Sequence, residues 1–304
     1  MEASNQFLEE NATTYGIEQE NEKISEDVVY VYSGEALELQ DVFRFSCVEN
    51  INPVIVAGEH ESGKTTLEVM IYRLFLEGKN EKLMFAGSVT LKGFQERSRK
   101  LLKKSGAKKP DVQRTLWAEK KFLHLALCNK KEKKRKNLIF ADYAGELFDD
   151  ATCLEELGNF FEDVSNVVIT LDGKKLCKYE ERKAVILHAK VLLSRMHQVG
   201  ILSKHTHLYI VCTKFDEVKK SKDKDMTMKF LERNYEILCE TFKEKVRKMD
   251  LVYLCAYGIN EKEEKEKMEK MLLEFIEENS KNDQIEMKQR VEIKRQMDKF
   301  EARG

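Results

Sequence analysis

A phosphate-binding pattern occupies residues 58–65. The run Gly58-Glu-His-Glu-Ser-Gly-Lys-Thr65 fits GxxxxGK[ST] at every position, with an apolar run before it and helical spacing after it. The glycines let backbone N–H groups turn towards phosphates, and the following helix adds the positive end of its dipole. Lys64 then supplies charge between the β- and γ-phosphates, a catalytic role, and Thr65 supplies a hydroxyl to Mg²⁺. The predicted nucleotide-binding residues here are Gly58, Glu61, Ser62, Gly63, Lys64, Thr65 and Thr66.

A second pattern, Asp-x-x-Gly, follows the apolar run 138–141. Asp142 ends that run, and a carboxylate at the end of a strand downstream of a phosphate loop can hold Mg²⁺ through water. Gly145 stands three residues on, where its N–H can sense the γ-phosphate. Asp-x-x-Gly alone is a weak motif, and its position at the end of a strand downstream of the phosphate loop makes it a stronger one.

A third pattern indicates which base is bound. The strand-like run 208–212 ends in Thr213-Lys214-Phe-Asp216, which resembles the guanine motif [NT]KxD. The Asp216 carboxylate can accept hydrogen bonds from the ring N–H and the exocyclic amine of guanine, whereas adenine lacks this donor pair and would leave it unpaired. Lys214 can lay its aliphatic stem along the base.

The end of the last predicted strand, 254–258, is a weaker candidate for the base pocket. The N–H of Ala256 would contact the guanine oxygen, but Tyr257 stands where such loops usually carry Lys. Of the roles of such a loop, only the backbone contact of Ala256 with guanine is expected here. The alternative interpretation of 254–258 is a plain strand-to-helix turn.

Switch I is expected before the strand 122–128, where Arg114 and Thr115 are adjacent. Thr115 is predicted to reach Mg²⁺ and the γ-phosphate, and Thr90, further upstream, is the alternative. Arg114 could act in cis on the transition-state charge, as some G domains do. The competing interpretation of Arg114 is an ordinary surface arginine.

Glu146 follows the glycine of the second pattern, where Ras-like proteins carry a glutamine that orients the attacking water. A glutamate accepts from water but does not donate as an amide does, and its charge opposes the γ-phosphate. Slow intrinsic turnover is therefore predicted, with help from a partner or from self-association. The alternative is a surface residue of switch II.

Short apolar runs alternate with segments of helical spacing from residue 54 onwards. This alternation predicts an α/β fold, a mostly parallel sheet of about six strands with helices on both faces. Together with the phosphate and guanine motifs, it makes a P-loop G domain the expected fold. The short basic turn 130–136 makes one strand antiparallel. The stripe Met268, Met271, Leu272, Phe275 and Ile276 predicts a helix packed on the core.

Three segments are expected along the chain. Residues 1–27 are polar and acidic, which is typical of a disordered tail. Residues 28–280 form the G domain, with a helical insert at about 80–112. Residues 281–304 continue as a charged C-terminal helix or extension, either solvated or used to bind a partner.

Composition restricts the function and the location. The net charge of −1 provides no general attraction to nucleic acid or membrane. The seven cysteines are scattered without CxxC spacing, which disfavours a zinc site and indicates reduced thiols. Because neither a signal peptide nor a membrane span is predicted, a cytoplasmic protein is expected. Two basic clusters could meet anions, but they lack interleaved aromatic residues, so nucleic acid is disfavoured and solvated surfaces are the simpler interpretation. Their residues are Arg97, Arg99, Lys100, Lys103, Lys104, Lys108 and Lys109, and Lys130, Lys131, Lys133, Lys134, Arg135 and Lys136.

The four motifs occur in the order of a TRAFAC-class G domain, and the sequence resembles the bacterial double-GTPases of the second type. The resemblance rests on the loop GEHESGKTT, on Phe85–Arg97, on Pro110 with the later Arg114-Thr115, and on ADYAGELF. It covers roughly residues 50–260. It implies a role in prokaryotic conflict or defence, with partners encoded nearby.

Three functions are compared on these grounds. The leading hypothesis is a GTPase that uses Mg²⁺, with GTP and GDP as ligands, and acts as a conformational switch. The second is a non-hydrolysing GTP-binding scaffold that recruits a protein partner through the insert or the C-terminal helix. The third, an ATP-using P-loop protein, is disfavoured by Asp216. A homodimer across the nucleotide face remains open.

Overall fold

The structure is a computed structural model. It describes residues 31–76, 80–103, 120–143, 148, 150–161, 164–255 and 262–277, with only the backbone of 100–103. The chain divides into two compact units, and every described residue except Val31 belongs to the unit Tyr32–Arg290. The predicted acidic tail and the C-terminal extension lie outside the described residues, and the domain boundaries remain predictions.

Helices and strands alternate along the described residues. The strands are β1 (Ile51–Gly58), β2 (Leu83–Gly87), β3 (Lys121–Asn129), β4 (Arg135–Asp142), β5 (Asn166–Asp172), β6 (His207–Thr213) and β7 (Lys248–Tyr253). The helices are α1 (Leu39–Ser46), α2 (Lys64–Leu76), α3 (Leu91–Lys103), α4 (Ala151–Phe160), α5 (Gly173–Leu176), α6 (Arg182–Gln198), α7 (Phe215–Lys220), α8 (Lys224–Phe242) and α9 (Lys262–Glu277).

The strands form one sheet in the order β2-β3-β4-β1-β5-β6-β7. Strand β3 pairs antiparallel with both β2 and β4, and the remaining pairs are parallel, so β3 alone runs against the others. This confirms the predicted α/β class and the antiparallel hairpin at the basic turn. The seventh strand is the edge strand β2, which comes from the predicted insert, so that insert is not purely helical.

Both faces of the sheet are buried. Along β1, Ile55 and Ala57 pack with the layer of α1, α4, α6 and α8, whereas Val54 and Val56 pack with α2, α3 and α9. The predicted α9 stripe is buried in the second layer, with Phe275 0% exposed. Burial of such a side chain contributes about 1.5–3 kcal/mol, so α9 is held by its packing rather than by helix propensity.

The parallel strands end together at one edge of the sheet. Gly58 pairs with Thr170 in β5, and Asp172 at the end of β5 pairs with Thr213 at the end of β6. Asp142 ends β4 on the other side of β1. Parallel α/β sheets bind ligands outside the carboxyl ends of their strands, so this edge is where the predicted residues can act together.

Candidate functional site

The loop between β1 and α2 curls around the side chain of its own lysine. The Lys64 ammonium donates hydrogen bonds to the carbonyl oxygens of Gly58 at 3.0 Å and Glu59 at 2.8 Å. Lys64 is the first residue of α2 and is 9% exposed, so its charge is concentrated inside the loop. A phosphate oxygen is an acceptor of the same kind with more charge, so the loop holds a cation suited to phosphate.

Strand β5 supports the phosphate loop through the side chain of Thr170. The Thr170 hydroxyl donates to the carbonyl oxygen of Ala57 at 3.1 Å and lies 2.6 Å from the hydroxyl of Ser62. Ser62 is fully buried, so its side chain anchors the loop to the sheet. Gly58 has a φ of +149°, and a Cβ there would lie 2.4 Å from Thr170 Oγ1 and 2.6 Å from Thr170 O. Only glycine lets the loop approach β5 this closely.

We therefore expect Gly58→Ala to weaken GDP binding about tenfold or more, because a backbone held in strain or pushed off β5 costs about 1–3 kcal/mol. Fluorescence titration with a labelled GDP measures it. Gly200→Ala is the matched control: its φ is +81° but nothing lies within 4 Å of the added Cβ, so it tests backbone strain without a collision. Equal, unchanged affinity in both variants would contradict the close approach.

The predicted base motif is attached to the same loop. The Thr213 hydroxyl lies 2.6 Å from the carbonyl oxygen of Ser62 and 3.1 Å from that of Leu171, so it joins the loop to the sheet. Gly63, with a φ of +92°, packs against it, and an added Cβ would come within 3.4 Å of Thr213. The threonine therefore supports the phosphate loop from the end of β6.

Lys214 crosses over the phosphate loop. Its backbone is left-handed, with φ 49° and ψ 36°. Its ammonium donates to the carbonyl oxygen of Glu61 at 2.8 Å and to Asp172 Oδ2 at 2.7 Å. Asp172 also caps α5 by accepting from the N–H of Lys174 at 2.8 Å, which fixes its position. The aliphatic stem of Lys214 is thereby stretched along the rim where a base would lie.

Asp172 and Glu264 support the side of the site that carries the predicted base motif, and neither was identified from the sequence. Asp172 precedes a glycine at a strand end, a helix-capping signal that could have singled it out. Glu264 in α9 is 2% exposed, and its carboxylate accepts from the N–H of Cys255 at 2.9 Å. It therefore holds the end of the chain segment that leads to Ala256. No local signal marks that contact.

Asp216 lies in the first turn of α7, two residues after Lys214. Its side chain is 34% exposed, and one oxygen lies 3.3 Å from the Lys220 ammonium. The N–H of Phe215 donates to the carbonyl oxygen of Leu254 at 3.2 Å, which ties this turn to the end of the neighbouring strand. The carboxylate is thus on a fixed turn at the binding edge and open to a ligand.

The side of the site near β4 carries Asp142, which is 2% exposed and bound by an arginine. Arg97 of α3 places Nε at 2.6 Å and Nη2 at 2.5 Å from the same oxygen, Asp142 Oδ2. Arg97 belongs to the first basic cluster, for which a solvated surface is the simpler interpretation from the sequence. That interpretation is wrong for this residue, whose side chain is 15% exposed and faces inwards, because the amphipathic turn of α3 directs it towards β4.

Glu68 lies beside this ion pair. It is 1% exposed, and no N–H or O–H of the described residues donates to either of its oxygens. Burial, and then the charge of Asp142, raises the pKa of Glu68 well above its usual value, while Arg97 opposes the rise. A charged residue in an otherwise buried helical stretch was the available signal, and it was missed.

The residues here fit Mg²⁺. Thr65 is the second residue of α2, and its hydroxyl and the carboxyl groups of Asp142 and Glu68 are oxygen donors of the type that this ion prefers. The oxygens of Glu68, buried without a donor among the described residues, are the specific observation that a cation would account for.

The family profile described as Double-GTPase 2 matches residues 52–274, more than half of the chain. The chain belongs to this family. The resemblance drawn from the motifs is thereby confirmed, and membership supports guanine-nucleotide binding by this double-GTPase. Comparison with curated protein sequences finds no match.

Among solved structures, this chain is similar to the Methanosarcina barkeri Roco2 RocCORdC bound to GDP. The two share 16% sequence identity, the alignment covers 75% of this chain and 50% of the other, and the TM-score is 0.36. The chain therefore spans half the length of that structure.

The structure brings together only part of the set of predicted site residues. The phosphate loop, Asp142 and Thr213–Asp216 meet at one edge of the sheet, whereas the predicted Thr115, Arg114, Gly145, Glu146 and Ala256 lie outside the described residues. Thr90, the alternative to Thr115, is fully buried, and its hydroxyl accepts from the N–H of His124 at 2.8 Å. Thr90 therefore pins α3 to β3, which disfavours a metal role.

Proposed function

We propose that this chain binds GTP together with Mg²⁺, hydrolyses it to GDP and phosphate, and uses the two nucleotide states as a conformational switch. One observation carries the proposal: Lys214 of the guanine motif lies across the phosphate loop, bonded to the Glu61 carbonyl and to Asp172. Direct contact between the predicted base-binding motif and the phosphate loop supports a single ligand that carries both a guanine base and phosphates, a guanine nucleotide.

The described residues divide the binding work. The Lys64 ammonium exchanges loop carbonyls for phosphate oxygens, and its burial strengthens that attraction because water screens it less. Asp216 accepts the two N–H donors on one edge of guanine, and Lys214 fixes the base plane. When bound, Mg²⁺ neutralises charge on the β- and γ-phosphates, and Thr65 and Asp142 are the residues proposed to hold it.

Hydrolysis rests on residues known only from their sequence positions. Thr115 is proposed as a further metal ligand, Gly145 as the sensor of the γ-phosphate and Glu146 as the acceptor for the attacking water. Because Glu146 replaces an amide by a carboxylate, we expect slow intrinsic turnover. Arg114 is proposed to stabilise the transition-state charge. Single-turnover hydrolysis by Arg114→Ala, with GTP affinity measured in parallel, tests this role.

The cellular setting is also a proposal. A place in prokaryotic conflict or defence systems, with partners encoded nearby, is what the family resemblance implies. The carboxylate of Glu146 is the separate reason to expect a protein partner or a second copy as activator. Seven free cysteines are consistent with the reducing cytoplasm. None of the described helices combines the length and apolar character needed to cross a bilayer.

Phosphate release with GTP and with ATP, each in Mg²⁺, tests the proposal. We expect release from GTP alone, slow at low protein concentration. Tight GTP binding without release at any protein concentration would instead support the scaffold that recruits a partner. Equal release from ATP would contradict the assignment of Asp216.

A further inference from the structure

Four charged side chains meet behind the phosphate loop: Lys64, Glu68, Arg97 and Asp142. We call them the buried charge cluster. Their relative exposures are low, with Asp142 and Glu68 at 2% and 1%. The proposed function uses Lys64 for phosphate and Asp142 for the metal, and it leaves Glu68 and Arg97 without a role. A buried carboxyl group and a buried guanidinium are costly to retain unless their charges are used.

Glu68 is placed to face the metal side of the site. It lies three residues after Thr65 and four after Lys64, which puts all three on neighbouring parts of one helix face. Helical side chains lean towards the helix N-terminus, so the carboxyl group of Glu68 is directed back to the loop and to the end of β4. Besides burial, the charge of Asp142 contributes to the raised pKa of Glu68, so the two carboxyl groups lie within electrostatic reach of each other.

Arg97 is the cation that faces these two carboxyl groups from α3. Its Nε and Nη2 both bind Asp142 Oδ2, and its Nη1 donates to the carbonyl oxygen of Gly93 at 3.1 Å. Both Nε and Nη2 bind one oxygen of Asp142, and neither oxygen of Glu68 has a hydrogen-bond donor among the described residues. Lys64 donates to the loop carbonyls. The oxygens of Glu68 are therefore available to a cation.

We propose that Glu68 is a second carboxylate of the divalent-cation site, and that Arg97 and the divalent cation compete for Asp142. The inference rests on the proposed function, since it concerns the metal that accompanies the nucleotide. A guanidinium and a divalent cation on one carboxylate repel each other strongly at low dielectric. Arg97 therefore weakens cation binding while Glu68 strengthens it, and the two side chains together adjust the affinity of the site.

The experiment measures Mn²⁺ binding to the full chain, alone and with GDP, by the electron paramagnetic resonance signal of free Mn²⁺. Glu68→Gln keeps the shape and removes the carboxylate, and we expect affinity to fall about tenfold or more. Arg97→Ala removes the competitor, and we expect affinity to rise about tenfold. Arg99→Ala is the matched control, because Arg99 lies on the same helix but is exposed, and it should leave affinity unchanged.

Two further variants keep the test decisive if folding is disturbed. Glu68→Asp retains a carboxylate at a shorter reach and should bind Mn²⁺ with an affinity between wild type and Glu68→Gln. Arg97→Lys retains a charge but cannot place two planar donors on one oxygen, so its affinity should lie between wild type and Arg97→Ala. Thermal unfolding of each variant confirms that the compared proteins are folded.

Unchanged Mn²⁺ affinity in folded Glu68→Gln overturns the role of Glu68, and unchanged or weaker affinity in folded Arg97→Ala overturns the competition. GDP and GTP binding by the wild-type chain in Mg²⁺ tests the proposed function separately. A folded wild-type chain that binds no guanine nucleotide in Mg²⁺ contradicts the proposed function, and the Mn²⁺ titration of the chain alone then still decides the role of Glu68.

Discussion

Replacing Lys64 by alanine is expected to weaken GTP binding by about 100-fold or more. The Lys64 ammonium is the buried cation at the centre of the phosphate loop, and each charge-assisted hydrogen bond it donates is worth about 1.5–3 kcal/mol. Two such bonds to phosphate oxygens give about 3 kcal/mol or more, which corresponds to that loss of affinity. Fluorescence titration with labelled GTP and GDP in Mg²⁺ measures the change.

The matched control for Lys64 is Lys175→Ala. The Lys175 ammonium also contacts the loop, but it binds the carboxylate Glu59 Oε2 at 2.8 Å from α5, and its side chain is 35% exposed. Such pairs contribute about 1 kcal/mol or less, so nucleotide affinity should change only severalfold. Comparable losses in both variants would show that Lys64 acts by holding the loop together rather than by binding phosphate. Thermal unfolding of both variants separates loss of fold from loss of affinity.

Asp216→Asn is expected to reverse the choice of base. Guanine presents two donors, the ring N–H and the exocyclic amine, and a carboxylate accepts both. An asparagine accepts one hydrogen bond and donates another, which leaves the guanine amine facing an N–H donor. GTP affinity should therefore fall about 100-fold, as expected for loss of charge-assisted bonds in a site built around them.

Xanthine carries a carbonyl oxygen in place of the guanine amine, so it offers one donor and one acceptor to the asparagine. Competition titrations with GTP, XTP and ATP should show that Asp216→Asn prefers XTP, while ATP stays poor in both proteins. Glu217→Gln removes a neighbouring exposed carboxylate of α7 and should leave the order of the three nucleotides unchanged. Retained GTP preference in Asp216→Asn would show that the base is read elsewhere.

Local sequence patterns predicted most of the sheet and of the phosphate loop. The buried strands were predicted because apolar runs between helical segments allow few alternatives, and the stripe on α9 identified a packed helix. The edge strand β2 was harder to predict from the sequence, because only Leu83 among its five residues is buried and no periodic pattern marks it. The hairpin at the basic turn followed from the short connection between two strands.

The sequence by itself determined the candidate residues for phosphate, metal and base, because Lys64, Asp142 and Asp216 stand within short motifs whose spacing is their signal. Only the tertiary structure decided how these residues are supported. The pairing of β1 with β5 places Thr170 beside Gly58, and Thr213 at the end of β6 lies against Gly63. Packing of α3 on the sheet brings Arg97 to Asp142. Such contacts join residues far apart in the chain, so no local pattern contains them, and they depend on strand order and on the distance between layers.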